Sequence, residues 1–489
     1  MTHSPLLRSK LFWVGLLYFS EGLPLGIFYD LFPVHFRQQG VNLSDIGMLS
    51  LFGLAWTLKF LWAPAIDHYR HHRRWMMVVN LGMGGVLVLL AMQQGFGPWV
   101  WLGIGLFTLL SATNDIAIDG YTIEQLDKEE LGLANGLRIA FYRVGMLAAG
   151  LLLILSDYLG WPLTYLCAAL LFGALALAIL AAPKERIRIA AATVSLGREL
   201  RTLLAHPLAL ALVLLFFAGA AALADKAIHW SATHDYLWPA AAVVATLLLV
   251  SSVVRHQHAA APFERVRLSD GPMFGALFEM VQRPGIVPVI LFILLFKLGD
   301  AAMGFMVKPF WVDAGFSATQ IGLVSVQLSL VLSIAGGIAG GWFTDRIGIF
   351  RALWILGLLQ ALSNLGYAGV ATLLPVNEPH LVPSTAQQAL LYLASGVESF
   401  TGGLGTAAFL AFLMAIVDQR RSAAEYALLS SVFALSRSVA GFASGFAAEA
   451  LGYAPYFLLT FFLAFPAYLL LPWVLRMLNR VPSPREAQP

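Results

Sequence analysis

GVNLSDIG (Gly40–Gly47) returns 275 residues later as GFSATQIG (Gly315–Gly322), with the shared pattern G-x-x-x-[ST]-x-I-G. Both copies sit in the same place, a polar loop that opens the second long apolar stretch of its half. A second echo follows at the far ends of those stretches, where Asp67 in APAIDHYRHHRRW and Asp345 in GGWFTDRIGIFRALW each precede basic residues. Two copies facing the same way predict parallel halves related by an axis along the membrane normal.

The composition says what surrounds the repeat. The chain has 489 residues, 59% of them hydrophobic and 12% charged, with a mean hydropathy of +0.77. Soluble domains carry about twice that charged fraction, so the chain reads as an all-α polytopic membrane protein in contact with the lipid bilayer. Apolar stretches of about 20 residues fall near 11–33, 45–66, 75–94, 98–120, 138–156 and 162–182. Two more fall near 207–224 and 237–254, and six near 284–307, 318–341, 352–374, 386–417, 424–448 and 454–475. The reading is fourteen spans: a six-helix bundle over 1–183, a linker with two additional helices over 184–283, a second six-helix bundle over 284–476, and a polar tail over 477–489.

Lys and Arg set the orientation. Placing the N-terminus in the cytoplasm puts Arg70, Arg73, Arg74, Lys184, Arg186, Arg346, Arg351, Arg420 and Arg421 inside. It leaves little beyond Arg37, Lys226 and Lys308 in outer loops, which predicts both termini cytoplasmic. The first apolar run is too long for a signal peptide's core and reads as a retained span. The single cysteine, Cys167, excludes a disulfide framework and a cysteine metal cluster. The histidines of DHYRHHRR lie among arginines, as in a solvated loop, so no metal is expected. A net charge of +3 gives no argument for nucleic acid. Neither a phosphate-binding G-x-x-x-x-G-K-[ST] nor a G-x-S-x-G elbow occurs, so the chain is read as a non-enzyme without cofactors; a monomer is the expectation.

The informative residues are those that a bilayer excludes. Inside the spans lie Glu21, Asp30, Asp115, Asp119, Asp300 and Glu398, against Lys59, Arg143, Lys297 and Arg437. At roughly 2.5–3.5 kcal/mol each, ten such residues facing lipid would cost on the order of 30 kcal/mol; they must face one another or water. Glu21 and Glu398 fall near mid-depth, Asp300 slightly outside it, and Asp115 and Asp119, one turn apart in SATNDIAIDGYTIE, toward the inner end. Carboxylates shut away from water can load and release protons near neutral pH. One proton moved across the membrane yields about 2.3 kcal/mol per 100 mV, enough to drive solute accumulation without ATP. Structural alternatives stand beside this reading: Asp119 and Arg143 as an ion pair, Lys297 and Asp300 neutralising each other on one helix, Lys59 and Arg437 snorkelling or pairing. The glycines of AGGIAGGWF and GFASG fit close helix packing. ESFTGGLGT, with Gly402, Gly403 and Gly405 after Glu398, suggests a helix bent or loosened beside a cavity.

Several motifs together resemble AmpG-type permeases of the major facilitator superfamily: SATNDIAIDGY, FKLGDA, KFLWAPAIDHY, FRALWILGLLQALSNLGYA and ESFTGGLGTAAFLAFLMA, a likeness that runs from about Phe19 to Leu471 and excludes the middle pair of spans and their flanks. The resemblance implies a twelve-helix core plus two extra helices, proton-coupled alternating access, residence in the bacterial inner membrane, and import of anhydromuropeptides for cell-wall recycling. It assigns Asp115 and Asp300 to acids important in that family, and Glu398 to another family acid. Glu21 departs, since SEGLPL carries an acid where those permeases have a small residue. The expectation is therefore a secondary importer of a small-molecule substrate, with Asp115, Asp119 and Asp300 coupling protons. Glu21, Lys297, Glu398, Arg143, Arg437 and Lys59 would line the substrate cavity. The rivals are a siderophore or acetyl-CoA-like permease and, more remotely, a polytopic membrane enzyme.

Overall fold

A computed structural model describes residues 10–59, 62–63, 66, 71–93, 95–125, 131–184, 283, 285–376, 382–416 and 422–479. All regular structure among them is helical, as a bilayer demands of a chain whose backbone groups must be satisfied within each segment. The first half comprises α1 (Lys10–Gln38), α2 (Leu43–Leu58), α3 (His72–Ala91) and α4 (Pro98–Gln125). The helical run Leu131–Leu180 follows, broken at Gly160 (φ 76, ψ 165) ahead of Pro162 into α5 (131–159) and α6 (161–180). The second half comprises α7 (Ile286–Asp313), α8 (Ala318–Ile347), α9 (Ile349–Ala371), α10 (Thr385–Ala415) and α11 (Ser422–Leu451). It ends in α12, Tyr453–Tyr468 with Leu471–Leu478, bent by 46°.

Each of these helices overlies one of the twelve outer stretches expected from hydropathy. Eight described runs are long and apolar enough to cross a membrane, nine if α12 counts as one span. The count of fourteen is not reached: the pair near 207–254 lies outside the described residues, α5 and α6 count as one run, α2 is short, and α11 is not among the runs that qualify.

The duplication is legible in the backbone. Left-handed breaks recur at matched places: Gly40 (φ 79) and Gly315 (φ 83) before α2 and α8, His71 (φ 58) and Gly348 (φ 81) before α3 and α9. Gly160 and Gly452 (φ 78, ψ 164) form a third pair, before α6 and α12. This last pair exposes an echo that the sequence reading missed, LGWP at 159–162 against LGYAP at 451–455. Helix starts obey local rules as well. Ser317 with Gln320, and Ser384 with Gln387, form reciprocal capping boxes at α8 and α10, satisfying donors that the first turn leaves orphaned.

The halves meet along two seams of small residues. Gly47 of α2 lies against Gly445 and Gly441 of α11, and Gly322 of α8 lies against the Gly150 carbonyl of α5. Polar contacts between the halves gather toward the end bearing Gly40, Gly315 and Gly452: the Ser44 N–H donates to Glu449 at 2.9 Å, and the Thr319 N–H to Asp157 at 2.6 Å. Within the first half, Ser20, Asn80 and Asn114 close a buried triangle, with Ser20 donating to Asn80 at 3.0 Å, Asn80 to Asn114 at 3.1 Å and Asn114 to Ser20 at 3.2 Å. It pins α1, α3 and α4 in register, because separating the helices would strand three polar groups in an apolar interior.

Glycines of AGGIAGGWF and GFASG pack helices closely, as expected, whereas ESFTGGLGT differs from expectation. α10 runs unbroken from Thr385 to Ala415, so ESFTGGLGT does not interrupt it. Gly403 instead lets the backbone of α8 approach at Ser333 and Gly337, and Gly336 and Gly340 of α8 meet the carbonyls of Phe400 and Leu404. Gly340→Ala would place a methyl 2.7 Å from the Leu404 oxygen and is expected to destabilise by about 1–3 kcal/mol. Gly341→Ala meets nothing within 4 Å and should be neutral or stabilising by up to about 1 kcal/mol. Thermal unfolding in detergent measures both; equal shifts would contradict the packing described.

Candidate transport site

Two clusters of ionisable residues stand out, one in each half. In the first, α4 carries Asp115 and Asp119 one turn apart, as the spacing requires, yet they take different partners. Asp115 pairs with Lys59 of α2 at 3.6 Å. Asp119 pairs with Arg138 of α5 at 3.3 Å and accepts from the Tyr18 hydroxyl at 2.9 Å, while the Arg138 guanidinium lies 4.9 Å from the centre of the Tyr18 ring. Glu21 of α1 is buried beside these groups and feels the charges of Asp115, Asp119, Arg138 and Lys59. One oxygen of Glu21 and one of Asp115 lack a hydrogen-bond partner. That is an arrangement suited to groups that exchange a proton or receive a ligand, since a permanently buried orphan oxygen is costly.

The expected Asp119–Arg143 pair does not form. α1 and α5 are pressed together where Gly22 faces the Tyr142 backbone and Gly145 faces Phe19 and Leu23, which turns Arg138 toward Tyr18 and Asp119. Arg143, five residues on, is rotated roughly 140° about the helix and makes no ion pair among the described residues. Arg138 was missed because hydropathy placed it at the very edge of the fifth span, where an arginine draws no notice. Lys59, which could have snorkelled, is held instead by Asp115.

The second cluster centres on Lys297, where α7 departs from helical geometry (φ −104, ψ 11). Its ammonium is buried and reaches Asp300 at 3.3 Å, Gln360 of α9 at 2.9 Å and the Gly402 carbonyl of α10 at 3.4 Å. The expected Lys297–Asp300 pair is therefore present, and Gln360 is an added partner that no charge pattern pointed to. Glu398 accepts from Ser399 at 3.1 Å. A methyl at Gly402 would stand 3.7 Å from Glu398 and 4.0 Å from Asp300; the glycine leaves the space beside both carboxylates open.

That space is part of a cavity of about 260 Å³ with walls from both halves: Asp30 and Met146 from the first, Asp300, Ser329, Glu398 and Gly402 among those from the second. Asp30 lies in a π-helical turn, Ile27–Leu31, that follows Pro24 in α1. Its partner is Lys308 at 3.2 Å, which also donates to the Ser325 carbonyl at 2.6 Å and hydroxyl at 2.8 Å. Ser325 lies in the π-helical stretch Ile321–Leu328 of α8, so two widened turns, one from each half, converge on one ammonium. Lys308 is thus not an outer-loop residue: α7 continues to Asp313, and the lysine is buried. Near the helix ends Arg37 meets Asp313 at 2.6 Å, and the Tyr453 hydroxyl donates to the same carboxylate at 2.6 Å. The Arg437 guanidinium of α11 lies over Tyr29 of α1, 4.8 Å from the ring centre. No group of metal-binding side chains occurs among the described residues.

Comparison with known proteins agrees with this geometry. The model of the Major Facilitator Superfamily matches residues 14–255. The anhydromuropeptide permease of Escherichia coli K12 is 28% identical over 470 residues, covering 93% of this chain and 78% of that one. A putative transporter, AmpG 4, of Rickettsia conorii is 24% identical over 485 residues, covering 96% and 97%. Among solved structures, a bacterial homologue of the human lysosomal transporter Spinster superposes with a TM-score of 0.63 at 13% identity, covering 99% of this chain and 100% of that one. The POT family transporter PepTSo does so with a TM-score of 0.63 at 13% identity, covering all of both chains. The chain therefore has the major facilitator fold and resembles AmpG-type permeases over most of its length; it is a transporter and not an enzyme.

Proposed function

We propose that this chain, a major facilitator transporter similar to the AmpG permeases, imports an anhydromuropeptide of the GlcNAc-anhydroMurNAc type across the bacterial inner membrane, driven by protons. The observation that carries the reading is the placement of acids from both halves around one cavity: Asp30 from the first, Asp300 and Glu398 from the second. The cluster of Glu21, Asp115 and Asp119 lies in the first half. A disaccharide-peptide is larger than this cavity, so the bound solute extends from it into the cleft between the two halves. Two six-helix bundles, 1–183 and 284–476, joined by the linker 184–283, rock about that site. With both termini cytoplasmic, the latched end bearing Arg37 and Asp313 faces outward and the cleft opens inward. The protein acts as a monomer.

Asp115 and Asp300 carry the coupling protons, with Asp119 held by Arg138 as a supporting member. A siderophore or other small-metabolite permease is the second reading, favoured by Glu21, an additional buried acid that alters the charge offered to a solute. Proteoliposomes assayed with labelled anhydromuropeptide, with and without an acidic exterior, separate the two. Accumulation that needs the pH gradient supports the first reading; transport of a siderophore but not of the muropeptide supports the second.

A further inference from the structure

Five carboxylates of the spanning helices have their own cations: Asp30 has Lys308, Asp115 has Lys59, Asp119 has Arg138, Asp300 has Lys297 and, at the helix ends, Asp313 has Arg37. Arg437 is outside this scheme. It has no ion pair among the described residues, its side chain is exposed, and its guanidinium lies over the Tyr29 ring of the opposite half.

Its position is fixed from both sides. Ser436 and Ser438 flank it in buried positions, and the Ser438 carbonyl accepts from Ser50 of α2 at 2.8 Å. Gly441, one turn on, is pressed against Ser50 and Phe305, so α11 cannot rotate to withdraw the arginine. Beneath it the Tyr29 ring is held by Trp56, stacked at 6.2 Å between centres, and by Phe305, edge-on at 5.6 Å. A guanidinium laid on an aromatic face keeps its N–H edge free in a fixed plane, and that edge matches a carboxylate with two parallel hydrogen bonds. Tyr29 itself adjoins Asp30, which lines the cavity.

We infer that Arg437, braced on the Tyr29–Trp56 platform, is the group that recognises a carboxylate of the transported solute. The inference rests on the cleft being a solute site, not on which solute enters it. Arg437 is then a specificity-determining residue that sorts free acids from their neutral analogues. Because Tyr29 belongs to one half and Arg437 to the other, a carboxylate seated there touches the seam that must move.

Isothermal titration of the purified full chain tests this with two ligand pairs: an anhydromuramyl tripeptide and its carboxamide, and a plain tripeptide and its carboxamide. The wild type is expected to bind the free acid of at least one pair about 10- to 100-fold more tightly than the amide, the range of one charge-assisted pair. Arg437→Gln should erase that preference, with the loss falling mainly on the free acid, and Arg437→Lys, which keeps charge but not the planar fork, should retain part of it. A purely structural arginine predicts instead equal losses for acid and amide. The inference is overturned if Arg437→Gln, or Arg437→Lys should the first variant not fold, keeps the full acid preference, or if the wild type prefers no free acid. Preference on the plain tripeptide with no binding of the muramyl compound would sink the substrate proposed above while leaving Arg437 its role. Muramyl binding without acid preference would do the reverse.

Discussion

Lys297→Met is expected to abolish uptake and to lower stability by roughly 3 kcal/mol, the lower end of what removing one member of a buried ion pair costs. The lower end applies because Asp300 is 29% exposed in its side chain while Lys297 is 3% exposed, so cavity water can partly solvate the abandoned carboxylate. The loss is still large, since the same ammonium also fills Gln360 and the Gly402 carbonyl, and Glu398 next to Asp300 then adds like-charge repulsion. Adding Asp300→Asn removes the stranded charge. The double variant should recover much of the stability and none of the transport, as read by thermal unfolding and uptake on the same preparations. A double variant as unstable as the single one would mean that Lys297 acts through Gln360 and α10 rather than through Asp300.

The second large effect concerns the end where the halves are joined. Arg37→Asp sets two carboxylates against each other at the position of a 2.6 Å pair that Tyr453 also braces. Losing roughly 3 kcal/mol from the closed state, at about 1.4 kcal/mol per factor of ten, shifts the closed-to-open ratio more than a hundredfold. Asp313→Arg added to it recreates the pair with its charges exchanged and should restore closure. Spin labels at Gln39→Cys and Ala386→Cys, with Cys167 replaced by serine, report the distance across that end. The account expects a longer distance in the single reversal and the original distance in the double. Unchanged distributions throughout would show that the glycine seams alone hold the end shut.

Much of this was legible in the sequence because the bilayer imposes simple rules. Twelve apolar stretches became twelve helices, and the paired G-x-x-x-[ST]-x-I-G segments became matched breaks at Gly40 and Gly315. The ionisable residues are drawn into clusters for the reason that made them conspicuous, the cost of facing lipid. What sequence could not supply was azimuth. Asp119 takes Arg138 rather than Arg143 because Gly22 and Gly145 fix how α1 and α5 cross, and that contact links residues 123 positions apart. Lys308 was assigned to a loop since the apolar stretch ends at 307; the two π-helical turns that capture it have no signature in composition. Nor did three glycines predict an intact α10, because glycine permits close approach as readily as a bend, and the neighbour, α8, decides between them.

The central claim is that carboxylates in the two halves exchange protons with a shared cleft during transport. Solute counterflow measured beside proton-driven accumulation, in proteoliposomes carrying Asp115→Asn or Asp300→Asn, tests it most directly. The account predicts that counterflow of labelled solute persists, because the site still binds and the halves still rock, while accumulation against a gradient disappears. Accumulation that continues undiminished in both variants, with its dependence on external acid intact, would contradict it.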